Sequence, residues 1–202
     1  MKPWEVWDLE ADLLRKEMGF GRHISLQKAV ASLIEESDKT IFDVGCGHGY
    51  LSKFVGNREY LGCDSSKEML RVAKELFPTR KFIYGDIFDL STFKVKDCVV
   101  CIDVLIHLPE IKQPLQQLWN CTGNTLLFTL KLNPKKKETI KISHNRIGNE
   151  NLVFPPNKYL IIRWDKIEEI EKLINNLDQI KDVTHLPYDN RTEIFKIRRK
   201  NK

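Results

Sequence analysis

The chain of 202 residues carries 33 basic and 28 acidic side chains, a formal net charge of +5, with 42% apolar and 30% charged residues. That length buries a substantial core without staples, and the composition fits one soluble globular domain. No apolar run approaches a membrane span, and Met1 to Asp8 mixes acids with tryptophans where a signal peptide would be apolar, so a cytoplasmic chain is expected.

Five cysteines, an odd number, fit free thiols better than a disulfide framework. Cys98 and Cys101 are spaced Cys-x-x-Cys inside an apolar strand run. Residues three apart in a strand point to opposite faces, so the pair cannot grip one metal and no metal site is expected. Positive charge gathers at Lys135–Lys137 and at Lys196, Arg198, Arg199, Lys200 and Lys202. We read these as a solvated loop and a frayed basic end, modest for a nucleic-acid binder.

In chain order, Pro3 to Met18 predicts a helix with Trp7, Ala11, Leu14 and Met18 at helical spacing, broken at Gly19-Phe20-Gly21. Arg22 and His23 fall in that break, and a second helix is predicted from Ser25 to Glu36. Ile41, Phe42 and Val44 make a short apolar run that ends in Gly45, Gly47 and Gly49, the pattern of a buried strand turning sharply toward a short helix over Tyr50 to Val55. Asp43 lies inside the strand end, where a carboxylate suits a cationic ligand rather than a phosphate. Glu59 to Asp64 predicts a second strand ending in an acid 21 residues after Asp43, the spacing at which a doubly wound sheet presents a carboxylate to a ribose. Ser65 with Glu68 predicts a capping box for the helix that follows. A third strand, Lys81 to Tyr84, runs into Gly85-Asp86-Ile87. A fourth, Asp97 to Asp103, is apolar across its middle, as a strand covered on both faces should be. It is followed by a helix ending at Trp119 and a fifth strand, Thr125 to Leu130. Lys131 to Trp164 is less regular, Asp165 is expected to cap a helix, and Asp182 to Leu186 with Thr192 to Ile197 predicts a closing hairpin.

The run Thr40 to Tyr50, Thr-Ile-Phe-Asp-Val-Gly-Cys-Gly-His-Gly-Tyr, resembles motif I of the class I S-adenosylmethionine (SAM) dependent methyltransferases, Asp/Glu-x-Gly-x-Gly-x-Gly. The rival dinucleotide fingerprint of an NAD enzyme, Gly-x-Gly-x-x-Gly, fails because the third glycine comes one residue early. Asp103-Val104-Leu105-Ile106-His107-Leu108 is similar to the small-molecule branch, and the Asn/Asp-Pro-Pro-Tyr motif of the amino-methylating DNA and protein enzymes is absent. The resemblance implies an α/β fold, a doubly wound, mostly parallel seven-stranded sheet with a terminal antiparallel hairpin strand. It implies a single domain over 1–202, with a helical cover at 1–38, a cofactor-binding half at 39–130 and an acceptor-side half at 131–202. SAM is the implied cofactor and S-adenosylhomocysteine (SAH) the product. Asp43, Gly45, Cys46, Gly47 and Gly49 would form the cofactor loop, Asp64 and Ser65 would face the ribose, and Asp86 with the Ile87 amide would face the adenine. Asp103 would hold the methionine end, and the Arg22 fork would suit the SAM carboxylate.

The expected reaction is in-line methyl transfer to a small-molecule acceptor, oxygen slightly favoured over nitrogen, which is positioning catalysis. His107, His144 and Tyr159 are the candidate bases for an oxygen acceptor. An RNA methyltransferase using Asp103 and Lys131 at adjacent strand ends is the alternative, followed by a non-catalytic SAM-binding or assembly subunit. A monomer or homodimer without a membrane span is expected.

Overall fold

The computed structural model describes residue 8 and residues 22–133, 137–142, 144–147, 150–153 and 160–200. In chain order the elements are α1 (Arg22–Ala31), β1 (Thr40–Val44), β2 (Glu59–Asp64), α2 (Lys67–Leu76), β3 (Lys81–Tyr84), β4 (Lys96–Cys101), α3 (Lys112–Asn120), β5 (Thr122–Lys131), β6 (Glu138–Ile142), β7 (His144–Ile147), β8 (Glu150–Val153), β9 (Leu160–Trp164), α4 (Ile167–Ile174), β10 (Ile180–Pro187) and β11 (Thr192–Arg199), with single 3-10 turns at Tyr50–Lys53 and Leu105–His107. The helix predicted over Pro3 to Met18 lies outside the described residues except for Asp8, which is helical.

Seven strands form one sheet in the order β3-β2-β1-β4-β5-β11-β10. The first five are parallel neighbours, and β11 runs antiparallel to both β5 and β10. The expected doubly wound sheet with a terminal hairpin is therefore present. Its central strands are apolar on both faces because helices cover both. Phe42, Val44, Val99, Cys101, Leu126 and Phe128 pack on one side with Leu115, Leu118 and Trp119 of α3 and Ile170 and Ile174 of α4. Ile41, Cys98, Val100 and Leu127 pack on the other with Leu26 and Val30 of α1 and Leu70 and Ala73 of α2. Cys98 and Cys101 thus lie on opposite faces, as strand alternation predicts, and all five cysteines are buried thiols.

Several expectations need correction. Arg22 and His23 do not sit in a break: they open α1, which ends at Ala31 rather than Glu36. The helix α2 is capped by Ser66, whose Oγ accepts the Met69 N–H at 3.0 Å, and not by Ser65. The physical reason is Asp64, whose Oδ1 takes the Ser66 N–H at 2.8 Å and delays the first helical residue by one. With Ser66 as the cap, the third helical position is Met69, so Glu68 has no capping-box role. The strand β4 stops at Cys101, because Asp103 turns into the left-handed region at φ 55. After the glycines there is one 3-10 turn in place of a helix to Val55.

The stretch read as irregular contains four short strands. β6 pairs with β9 and β7 with β8, both antiparallel. β9 is fastened to the core at several points. His107 Nδ1 lies 2.6 Å from the Ile161 carbonyl oxygen, the Asp165 N–H reaches Lys131 O at 3.0 Å, and the Asn133 N–H reaches Asp165 O at 2.9 Å. Asp165 does not cap α4, whose first flanking residue is Lys166. Its carboxylate instead receives Arg163 in a two-pronged pair, Nη2–Oδ1 at 2.5 Å and Nε–Oδ2 at 3.0 Å, with the side chains only 3% and 1% exposed.

The basic end is also a correction, because most of it is built into β11. Lys196 Nζ meets Glu35 Oε1 at 2.5 Å and the Leu33 carbonyl at 2.9 Å. Arg198 pairs with Asp182 at 2.7 Å, and the Arg199 guanidinium lies 4.2 Å over the Trp119 ring. Hydrogen bonds from Lys196 and Arg198 hold the carboxyls of Glu35 and Asp182 below their ordinary range. Among the described residues no helix is long and apolar enough to cross a membrane.

The Arg163–Asp165 pair yields a stability prediction. Asp165→Ala leaves a buried guanidinium without its counter-charge and should cost about 3–5 kcal/mol, while the double change Arg163→Met with Asp165→Leu should cost much less. Urea unfolding midpoints of the two variants check this.

Candidate functional site

The strand order reverses between β1 and β4, so the carboxyl ends of these strands open a crevice, the usual ligand position in such a sheet. The glycine loop after β1 lines it. The Gly45 and Cys46 amides both donate to the Cys63 carbonyl, at 2.8 and 2.9 Å, which pins the loop to the end of β2. Two glycines are needed there for different reasons. A Cβ on Gly45, at φ +72, would lie 2.2 Å from a Val104 methyl, whereas one on Gly47, at φ +51, would meet nothing within 4 Å. Gly45 is closed against the chain after β4, and Gly47 faces open space.

Acidic groups surround this loop. Asp64 Oδ2 accepts the Gly47 N–H at 2.8 Å while Oδ1 accepts that of Ser66. Burial pushes the Asp64 carboxyl up, and the amides of Ser66, Gly47 and Ser65 act against that rise. Ser65 therefore takes part through its backbone. Asp43 is 3% exposed and accepts the Tyr60 hydroxyl at 2.6 Å. Burial raises its carboxyl to about 7, opposed by the Tyr60 hydrogen bond and assisted by the charge of Asp64. Cys46 is a buried thiol pushed well up by desolvation, which keeps it neutral.

β3 joins the same rim through the Gly85 N–H, which donates to Asp64 O at 3.1 Å. There Asp86 Oδ1 accepts the Phe88 N–H at 3.0 Å, and Ile87 is buried at 8% exposure. Across the crevice the Asp103 N–H donates to Thr129 Oγ1 at 2.8 Å, and Asp103 Oδ2 lies 3.9 Å from His23 Nδ1 of α1. A short polar side chain tolerates the left-handed backbone that Asp103 adopts.

His107 is half-buried on its 3-10 turn. Its Nδ1–H donates to the Ile161 carbonyl, which makes Nε2 the acceptor nitrogen of the ring. Burial lowers its pKa to about 4, against the Ile161 bond and Asp103, with the positive charges of Lys131 and His23 adding to the fall. His23, Asp103 and Lys131 therefore all sit within electrostatic reach of His107. Arg22 opens α1 and His144 opens β7, but both side chains lie outside the described residues, as does all of Tyr159.

The sequence did not single out Thr129 or Tyr60. Thr129 is a fully buried polar residue and Tyr60 a buried phenol on β2, but Thr and Tyr are common strand residues and gave no local signal.

The donor set fits one kind of ligand. Carboxylates packed against a glycine loop would repel a pyrophosphate and suit a cationic ligand that also carries hydroxyls, and the open approach at Gly47 leaves room for it. Known proteins agree with that chemistry. The methyltransferase-domain family matches residues 41–123. A ubiquinone biosynthesis O-methyltransferase of Nitrosomonas europaea is 34% identical over 110 residues, 49% of this chain and 47% of that protein. A tRNA U34 carboxymethyltransferase of Edwardsiella ictaluri is 25% identical over 177 residues, 81% of this chain and 54% of that protein. The chain thus spans 31–54% of the length of the curated relatives it matches. Magnesium protoporphyrin IX methyltransferase from Synechocystis PCC 6803, solved with SAM bound, shares the fold at TM-score 0.67 and 19% identity, over 96% of this chain and 95% of that one. The same protein has also been solved with SAH. The sheet order is that of the fold solved for these SAM-dependent methyltransferases, and the methyltransferase-domain match spans the acid-flanked glycine loop and the strands beside it.

Two outcomes follow from the geometry. Gly47→Ala should cost only the left-handed strain, about 1–2 kcal/mol, and lose SAM affinity beyond that. Gly45→Ala adds an overpacking cost of about 1–3 kcal/mol, so urea unfolding should rank Gly45→Ala as the less stable protein. For His107, the unfolded chain binds a proton near pH 6.5 and the folded one near 4. Stability should therefore fall as pH drops through that window, and His107→Gln should flatten this part of a melting-temperature profile against pH.

Proposed function

We propose that the chain transfers the methyl group of SAM to a small soluble acceptor, with oxygen favoured over nitrogen as the methylated atom. The observation that carries the reading is the convergence of His23, Asp103, His107 and Lys131 beside the glycine loop, at the ends of β4 and β5. SAM supplies a methyl on a positively charged sulfur, and the protein's task is to hold acceptor and methyl in line.

In this reading Asp64 accepts from the ribose hydroxyls, since each of its oxygens keeps an acceptor position after taking one amide. Asp86 accepts from the adenine amino group, and the Ile87 amide addresses the ring. Gly45, Cys46, Gly47 and Gly49 admit the cofactor, with Ser65 shaping the turn beside the ribose. Asp103 holds the methionine end, with Arg22 as the partner for its carboxylate. His107 orients the acceptor oxygen through Nε2 and takes its proton late. A ring whose conjugate acid lies near 4 suits an acidic oxygen, a carboxylate or an acidic hydroxyl, better than an alcohol. His144 and Tyr159 are held in reserve as bases. Residues 1–38, 39–130 and 131–202 act as one unit, with the last part enclosing the acceptor.

RNA is the second reading. It draws support from the tRNA-modifying relative and from Asp103 and Lys131 at adjacent strand ends. Against it, Lys196, Arg198 and Arg199 are already engaged by the fold.

Incubation with methyl-labelled SAM tests both readings. Label should enter a small-molecule fraction and not tRNA. Label in tRNA, with log affinity falling against log salt by about 0.7–0.9 per phosphate contact, would establish RNA as the acceptor. No transfer to either would leave a non-catalytic SAM-binding protein. Asp64→Ala should weaken SAM binding by about 1.5–3 kcal/mol in calorimetry. It should also lower the melting temperature without ligand, because it strands the Gly47 and Ser66 amides.

A further inference from the structure

Beside the glycine loop lies a buried pair, Tyr60 and Asp43, joined by one hydrogen bond. Tyr60 is 4% exposed and Asp43 3%, and the phenol oxygen stands 2.6 Å from Asp43 Oδ2. In the β1–β2 register Tyr60 lies opposite Ile41 and Asp43 opposite Gly62. Alternation puts both side chains on one face, and Gly62 leaves that face open for Phe82 and the Cys46 sulfur, which would sit 2.7 and 2.9 Å from a Cβ there. Phe82 in turn packs edge-on to the Tyr60 ring at 5.8 Å, so the phenol has little freedom to turn away.

We infer that Tyr60 is a positioning residue for the cofactor: its hydroxyl fixes the Asp43 carboxyl under the glycine loop and sets the pH at which that carboxyl gives up its proton to receive a cationic ligand. The inference goes beyond the acceptor reading and rests only on SAM as the cofactor.

The surroundings of Asp43 make the proton matter. On its own face it meets Tyr60 and Asp64 of β2 and Cys46 of the loop, while Cys63 and Cys101 lie across the sheet within reach of its charge. The three thiols and the phenol are all pushed well above their ordinary values by burial, so they are neutral at pH 7. The charged neighbour is Asp64, a like charge. Desolvation and Asp64 therefore favour the protonated carboxyl, and the Tyr60 hydroxyl is the group that favours the carboxylate. A ligand bearing a sulfonium and an ammonium shifts the balance the same way as Tyr60. Asp43–COOH then becomes Asp43–COO⁻, and one proton passes to the buffer. The product SAH has lost the sulfonium charge, so it draws off less of that proton.

Calorimetry of SAM binding between pH 5.5 and 7.5, in buffers of different ionisation enthalpy, tests the inference. For the wild-type protein, affinity should rise with pH by up to tenfold per unit below the midpoint, with up to one proton released on binding. The ligand's own amino group, near 8, titrates alike in every variant and cancels in the comparison. Tyr60→Phe should move the midpoint upward, losing several-fold affinity at pH 7 and regaining it at higher pH. Asp43→Asn should abolish the linked proton. A Tyr60 that merely fills space would lower affinity equally at every pH, and that result overturns the proposal, as does wild-type affinity without pH dependence. If Asp43→Asn does not fold, carbon-13 carboxyl NMR of ligand-free wild-type and Tyr60→Phe reads the same group directly. A midpoint near 7 that rises in the variant supports the role, and a wild-type midpoint below about 5 ends it.

Discussion

The amides of Gly45 and Cys46 share a single acceptor, the Cys63 carbonyl at the end of β2. Much of the site depends on that convergence. It brings the loop after β1 against the next strand, so that the residue following Cys63, Asp64, meets the Gly47 amide. The Asp64 carbonyl then receives the Gly85 amide and draws the end of β3 to the same rim. Three parallel strands are registered by hydrogen bonds that run through one short loop. The bend requires positive φ at Gly45, Gly47 and Gly49, which only glycine adopts without strain.

Closing the loop this tightly buries acids and an imidazole together. Asp43 and Asp64 are pushed up, and His107 is pushed down, with burial the largest cause in each case. Every one of these shifts favours the neutral form. These groups therefore carry less charge than they would in water, and a cationic ligand beside the loop would favour returning Asp43 and Asp64 to the carboxylate form. The same burial lowers the basicity of His107, so one physical term raises the proton affinity of the carboxyls and lowers that of the ring.

The far side of the crevice is built differently. β9 is held to the ends of β4 and β5 by backbone bonds around Lys131 and Asp165, by the His107–Ile161 contact and by the buried Arg163–Asp165 pair. A buried ion pair adds little net stability compared with an apolar replacement, but it fixes geometry because neither partner can leave the other. That rigidity bears on His107, whose ring orientation depends on where β9 sits.

The amino-acid sequence determined the strands β1, β2 and β3 to the residue. They are short runs closed by glycine or acid, and that punctuation specifies their ends whether the strand is buried like β1 or at the sheet edge like β3. It also placed an acid at each strand end facing the crevice, Asp43 and Asp64 within the last residues of β1 and β2, and Asp86 and Asp103 just after β3 and β4. What it did not determine depends on partners distant in the chain. Ser66 displaces Ser65 as the cap because Asp64 is held by the glycine loop, and Asp165 abandons α4 because Arg163 reaches it first. The basic end is neutralised by Glu35 and Asp182, and Tyr60 matters only because β2 lies beside β1. Local pattern fixes which face of a strand is buried. Which polar groups meet once the strands pair is decided by register and loop closure, and only the assembled sheet supplies those.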